Sequence, residues 1–98
     1  MKILALSKRP DGVTTEQIAP HRVAEAAQAW ELYTSGVFRE LYFRTDKPGA
    51  VVMLECADVA EAQKALATLP MVEAGVLDFD LIPLGPFLEF RHLFKNNE

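Results

Sequence analysis

"VFRELYFRTDKPGAVVMLEC", residues 37–56, holds two apolar runs joined by a turn-forming segment. Pro48-Gly49 within "TDKPGA" is hairpin chemistry, and so short a connection makes the flanking strands adjacent and antiparallel. Strict alternation over residues 37–44 sets Val37, Arg39, Leu41 and Phe43 on one face, with Phe38, Glu40, Tyr42 and Arg44 on the other. Each face carries apolar bulk and a cation. The partner strand, residues 50–56, sets Val51 and Met53 against Val52 and Leu54. A hairpin wetted on one side is polar at every second position, so this one needs cover on both sides.

Residues 2–8 alternate loosely and run into Arg9-Pro10-Asp11-Gly12, a strand followed by a turn. Thr14 with Gln17 is a capping-box pattern that opens a helix. Pro20 cannot donate a backbone hydrogen bond, so a short first turn and then a longer helix are expected, with Gly36 as its stop. Val23, Ala26, Ala27, Trp30 and Tyr33 or Thr34 form the expected apolar stripe of that helix. Asp58 with Glu61 repeats the cap signature. Val59, Ala62, Leu66 and Leu69 are the buried stripe of a second helix, ended by Pro70. Residues 75–84 form the last strand, with Pro83 at its end or at a sheet edge.

The order β-α-β-β-α-β predicts an α+β, ferredoxin-like domain spanning residues 1–98, a four-stranded antiparallel sheet with both helices on one face. Two helices cover one face only. A second copy of the same sheet is the expected cover for the other, giving a two-fold dimeric α+β barrel. The tail, residues 85–98, concentrates Phe87, Leu88, Phe90, Leu93 and Phe94 and should dock on its own subunit or on a neighbour.

Ten basic and fourteen acidic side chains give a formal charge of −4, which argues against a nucleic-acid partner. The early apolar stretch at residues 3–6 is too short for a signal-peptide core or a membrane span, so a cytoplasmic setting and no membrane partner are expected. Cys56 is the single cysteine and reads as a buried small hydrophobe. It allows no intrachain disulfide and no thiolate metal cluster, and His21 and His92 make no metal motif, so no metal is expected.

The helix ending in Gly36, the arginine-bearing second strand, the Asp58/Glu61 helix start, "TLP" at residues 68–70 and "IPL" at residues 82–84 together resemble the muconolactone delta-isomerase family of dimeric α+β barrels. The resemblance spans nearly the whole chain. It implies a homodimer, with a larger ring such as a decamer as an extension, and a small-molecule pocket between helices and sheet, closed by a neighbour's tail. It also implies an isomerase that moves a double bond in a small carboxylated lactone or enolisable metabolite without a cofactor. Such a step needs a positioned acid/base and a cation for the carboxylate. The alternatives are a non-catalytic ligand-binding or assembly module, and a cofactor-free oxygenase of the same barrel type.

Glu25 is the first candidate proton carrier. It lies four residues after His21, on one helix face, and falls on an acidic position of the family's first helix. The competing reading is a solvated surface pair. An imidazole such as that of His21 can shuttle a proton, or the residue can simply be exposed at a helix start. Arg39 and Arg44 lie five residues apart on one strand and so point to opposite faces: one can hold a substrate carboxylate while the other pairs at the dimer interface or sheet edge, or both can form structural cross-strand ion pairs, with Glu40, Glu55, Asp78 and Asp80 as available partners. Tyr42 can donate to substrate or pack, and Trp30 belongs to the core or lines the pocket. One departure stands out: Ala24, Ala26, Ala27 and Ala29 replace a charged helix start. Position 26 supplies no lysine, which counts against muconolactone itself as the substrate.

Overall fold

The computed structural model describes residues 1–94, and the last four residues of the tail lie outside the described part. Strand β1 (Lys2–Lys8) leads into α1 (Thr15–Ile18), a 3₁₀ turn over Ala19–His21, and α2 (Arg22–Thr34). The hairpin β2 (Phe38–Phe43) and β3 (Ala50–Glu55) follows, then α3 (Val59–Ala67), α4 (Pro70–Glu73), β4 (Asp78–Leu84) and a 3₁₀ segment over Leu88–Phe94. The sheet order is β2-β3-β1-β4 with every pair antiparallel. This is the ferredoxin-like arrangement expected from the element order. No helix among the described residues is long and apolar enough to cross a membrane.

The caps form as their spacing requires. Thr14 Oγ1 accepts the Gln17 amide at 3.3 Å, and Gln17 Oε1 accepts the Thr14 amide at 2.7 Å. Asp58 Oδ1 accepts the Glu61 amide at 2.8 Å, which starts α3. Gly36 turns the chain out of α2 with φ at +86°, a conformation that side chains with a Cβ resist. Pro70 does end α3, and it also opens α4, where its missing N–H costs nothing. The last strand begins at Asp78, later than expected from its apolar run. Val76 instead packs with Ile18 and Met71 in a small second cluster beneath α1.

The main core lies between the helices and one sheet face. Ile3, Ala5, Phe38, Val52, Leu54 and Cys56 meet Ala62, Leu66 and Leu69 from the α3 region. The stripe expected on α2 is not the one that packs. Val23 and Trp30 are 86% and 61% exposed, and α2 contains no fully buried residue. Its inward face runs through Glu25, Gln28, Ala29 and Leu32, a helical spacing in which only Ala29 and Leu32 are apolar. Gln28 Nε2 donates to Thr68 Oγ1 at 2.9 Å, so polar contacts replace part of the hydrophobic seam.

Strand β2 also departs from strict alternation. Phe38 pairs with Leu54, Glu40 with Met53 and Leu41 with Val52, leaving Arg39 as the extra residue of a bulge. Phe38 therefore shares the helix-covered face with Leu41 and Phe43, the set opposite to the one period two assigns it. The open face of the sheet carries Leu4, Leu6, Val51, Met53, Tyr42 and Ile82, as the registers place them. At its margin Lys8 Nζ meets Asp80 of β4 at 2.6 Å. The apolar groups of the tail, Phe87, Leu88, Phe90, Leu93 and Phe94, are 55% to 80% exposed in the single chain.

Candidate functional site

A groove of about 630 Å³ lies where α2 crosses the bulged edge strand β2. Its size falls in the range of small-molecule pockets. The helix contributes Ala26, Ala29, Trp30 and Tyr33; the strand contributes Arg39, Glu40, Leu41 and Tyr42. Trp30 and Tyr33, three residues apart on one helix face, place their ring centroids 5.7 Å apart at 38°. Ala26 and Ala29 bring only methyl groups, which leaves room beside the rings. A smaller cleft of about 340 Å³ between α3 and β4 includes Gln63, Asp78 and Asp80 in its lining and no cation.

Arg39, the extra residue of the bulge, lines the groove. Its Nε donates to the Gly36 carbonyl at 2.6 Å, which fixes the plane of the guanidinium and leaves its two terminal nitrogens for another partner. Among the described residues Arg39 forms no ion pair within 4.0 Å. Next to it, Tyr42 Oη donates to Glu40 Oε1 at 2.9 Å across two positions of one strand face. The bonded carboxylate holds the Tyr42 phenol above its ordinary value, so the hydroxyl keeps its proton. Glu40 and Tyr42 belong to the open face of the sheet and border the groove at the edge of β2, where Arg39 joins them, and Trp30 and Tyr33 line its helix side.

The residues expected to act together are divided. Trp30, Arg39 and Tyr42 meet in the groove. Arg44 is outside its lining and is engaged in the hairpin loop, where Nη2 and Nε bind Asp46 at 2.6 and 2.9 Å. Asp46 was not among the partners expected for it; the turn brings it close because the loop folds back over two residues. Glu25 is also outside the lining. Its Oε1 accepts the Met71 amide at 2.9 Å, so the residue is no solvated surface group but a link from α2 to α4. Burial raises its carboxyl above the ordinary value, against the opposing pull of the Met71 amide and His21. Cys56 is buried as expected, and burial raises its thiol too.

Sequence reading missed Tyr33 and Leu41 as groove residues and missed Glu40 as the partner of Tyr42. The last had a visible signal, since Glu40 and Tyr42 stand two apart on a strand. Among the described residues no group of three or more His, Cys, Asp or Glu side chains is placed to hold a metal ion.

No protein-family model and no curated protein sequence matches the chain. Solved structures do. Muconolactone isomerase superposes with a TM-score of 0.69 over 88% of this chain and 90% of that one, at 17% identity. The chain has the muconolactone isomerase fold. A second match is 5-chloro-2-hydroxyhydroquinone dehydrochlorinase (TftG) from Burkholderia phenoliruptrix AC1100, solved in complex with 2,5-dihydroxybenzoquinone. It superposes with a TM-score of 0.65 over 91% of this chain and 98% of that one, at 16% identity. The resemblance carried by the helix stop at Gly36, the Asp58/Glu61 cap and the "TLP" and "IPL" segments is thus borne out as fold. Within the muconolactone isomerase fold, the groove between α2 and β2 brings together a cation, a carboxylate hydrogen-bonded to a phenol, and an apolar wall.

Proposed function

We propose that this chain is a small isomerase that shifts a proton, and with it a double bond, within a carboxylated lactone or similarly enolisable metabolite. The observation that carries the reading is the presence in one groove of Arg39 and the hydrogen-bonded pair Glu40–Tyr42. Arg39 receives the substrate carboxylate through its two terminal nitrogens. Ionised Glu40 removes a proton from a carbon beside a carbonyl, and the electron pair spreads into the conjugated system. The proton then returns to a more distant carbon, the double bond moves, and no oxidant or reductant is consumed. Tyr42 steadies Glu40 while it is charged. Both matched proteins are named for reactions of small oxygenated molecules, which supports a substrate of that size.

The functional unit in this proposal is a homodimer in the cytoplasm. A second copy covers the open sheet face bearing Leu4, Leu6, Val51 and Met53, and the exposed tail reaches a neighbouring copy, as in a larger ring. The test is incubation with a panel of unsaturated lactone carboxylates in deuterated water, with deuterium at carbon followed by NMR. Exchange that falls on the order of a hundredfold in Glu40→Gln supports the scheme. Binding without exchange for every member of the panel replaces it with a ligand-binding module, a reading favoured by the position of Glu25 and His21 outside the groove.

A further inference from the structure

Resting on the reading of the α2–β2 groove as the substrate site, we infer that it selects a flat, conjugated ring bearing an anionic group, with Trp30 and Tyr33 as the stacking wall. Trp30 is 61% exposed, on a helix whose packed seam lies elsewhere. A large aromatic group left open at a groove, beside the 46% exposed Tyr33, offers a π-face and has little part in the chain's own core. Ala26 lies one turn before Trp30 and Ala29 directly precedes it. Their methyl groups add little bulk beside the rings, which suits a planar ring laid against them.

The strand side supplies the second half of the selection. Arg39 is held by Gly36 through Nε and, among the described residues, makes no ion pair within 4.0 Å, so its end-on edge can take a carboxylate or enolate in a two-point contact. Glu40 is occupied on one oxygen by the Tyr42 hydroxyl. The Tyr42 oxygen then retains lone pairs that accept from a ring hydroxyl. Stacking and charge thus act at opposite ends of one ligand. A saturated acid keeps the Arg39 contact and loses the stack, whereas a neutral aromatic keeps the stack and loses the ion pair.

Trp30 is the only tryptophan in the chain, so its emission reports on this groove alone. The experiment titrates the full chain with benzoate, cyclohexanecarboxylate and benzamide. Benzoate is expected to quench the emission and to bind roughly two- to tenfold more tightly than cyclohexanecarboxylate, the range that aromatic pairing supplies. Benzamide binds more weakly than benzoate. Tyr33→Leu, which retains the probe, reduces the preference for the planar acid, and Arg39→Gln weakens benzoate at least about tenfold. Circular dichroism confirms that both variants are folded. Equal affinity for benzoate and cyclohexanecarboxylate overturns the inference, as does emission that moves only with protein concentration, which marks the wall as an interface between copies. A planar preference without proton exchange sinks the isomerase reading and leaves this one standing; exchange without a planar preference does the reverse.

Discussion

Glu25 Oε1 accepts the backbone amide of Met71 at 2.9 Å, joining α2 to the short helix α4. The bond explains why an acidic residue stands on the inward face of α2. The amide at the start of α4 has no carbonyl within its own helix to bond, and a side chain from the neighbouring helix satisfies it. Burial and the hydrogen bond then oppose each other at the carboxyl, and burial prevails.

Glu25→Ala removes the acceptor and is expected to cost about 1–3 kcal/mol, the penalty for leaving a part-buried donor unpaired. Thermal unfolding reads this as a drop of several degrees. Glu25→Gln keeps a carbonyl oxygen for Met71 and drops the charge. Because the folded carboxyl lies above its ordinary 4.5, wild type is favoured by this group below that pH and loses the advantage as pH rises through the folded value. Glu25→Gln should therefore gain on wild type as pH rises across that window. A stability difference between the two that stays flat with pH contradicts the account of Glu25.

Arg44 and Asp46 provide a titration of the opposite sign. The two-point contact with Arg44 lowers the Asp46 carboxyl from 3.8 to about 2. The pair's contribution is present above pH 3.8 and is lost as pH falls through the folded value. Asp46→Asn is expected to flatten the acid limb of the stability curve in that interval and to change little at neutral pH, since both groups sit at the exposed hairpin. An unchanged acid limb would show the pair to be open in solution.

The order of elements was legible because its signals are local. Thr14/Gln17 and Asp58/Glu61 mark helix starts by chemistry that acts within one turn, and Pro48-Gly49 marks the hairpin. What stayed hidden depends on partners distant in sequence. The apolar stripe through Val23 and Trp30 satisfies the helical period, yet the sheet and α4 take the face through Glu25, Gln28 and Leu32. The bulge at Arg39 carries no glycine to announce it; it appears only when Phe38 and Leu41 are both matched to β3. For the same reason the site was half legible. Trp30, Arg39 and Tyr42 meet, whereas Glu25 and Arg44 are held by Met71 and Asp46, partners that spacing on their own elements does not single out.

The dimer proposal makes a claim about the open sheet face. Leu4 stands opposite Met53 across the β1–β3 pair, at the middle of that face. Met53→Lys places an ammonium there, which is tolerated if water covers the face and is costly if a second sheet does. Sedimentation is expected to show a wild-type dimer at micromolar concentration and a Met53→Lys monomer. A wild type that sediments as a monomer ends the proposal.

Deleting Arg39 distinguishes what the bulge does for stability from what it does for binding. Phe38 faces Leu54 and Leu41 faces Val52, with Glu40 opposite Met53 between them and Arg39 unpaired. Remove Arg39, and Phe38, Glu40 and Leu41 follow one another in regular alternation, each keeping its partner and its face. The core loses nothing, because Phe38, 1% exposed, still faces inward. Phe38→Ala, in contrast, empties that site and should cost about 3–5 kcal/mol. The deletion variant is thus expected to unfold within a few degrees of wild type while its affinity for a small carboxylate falls by at least about tenfold, since the groove has lost its fixed guanidinium. Unfolding scans and carboxylate titrations on the same samples decide the matter. A deletion variant that unfolds as readily as Phe38→Ala makes the bulge a requirement of folding; one that binds as well as wild type removes Arg39 from the site.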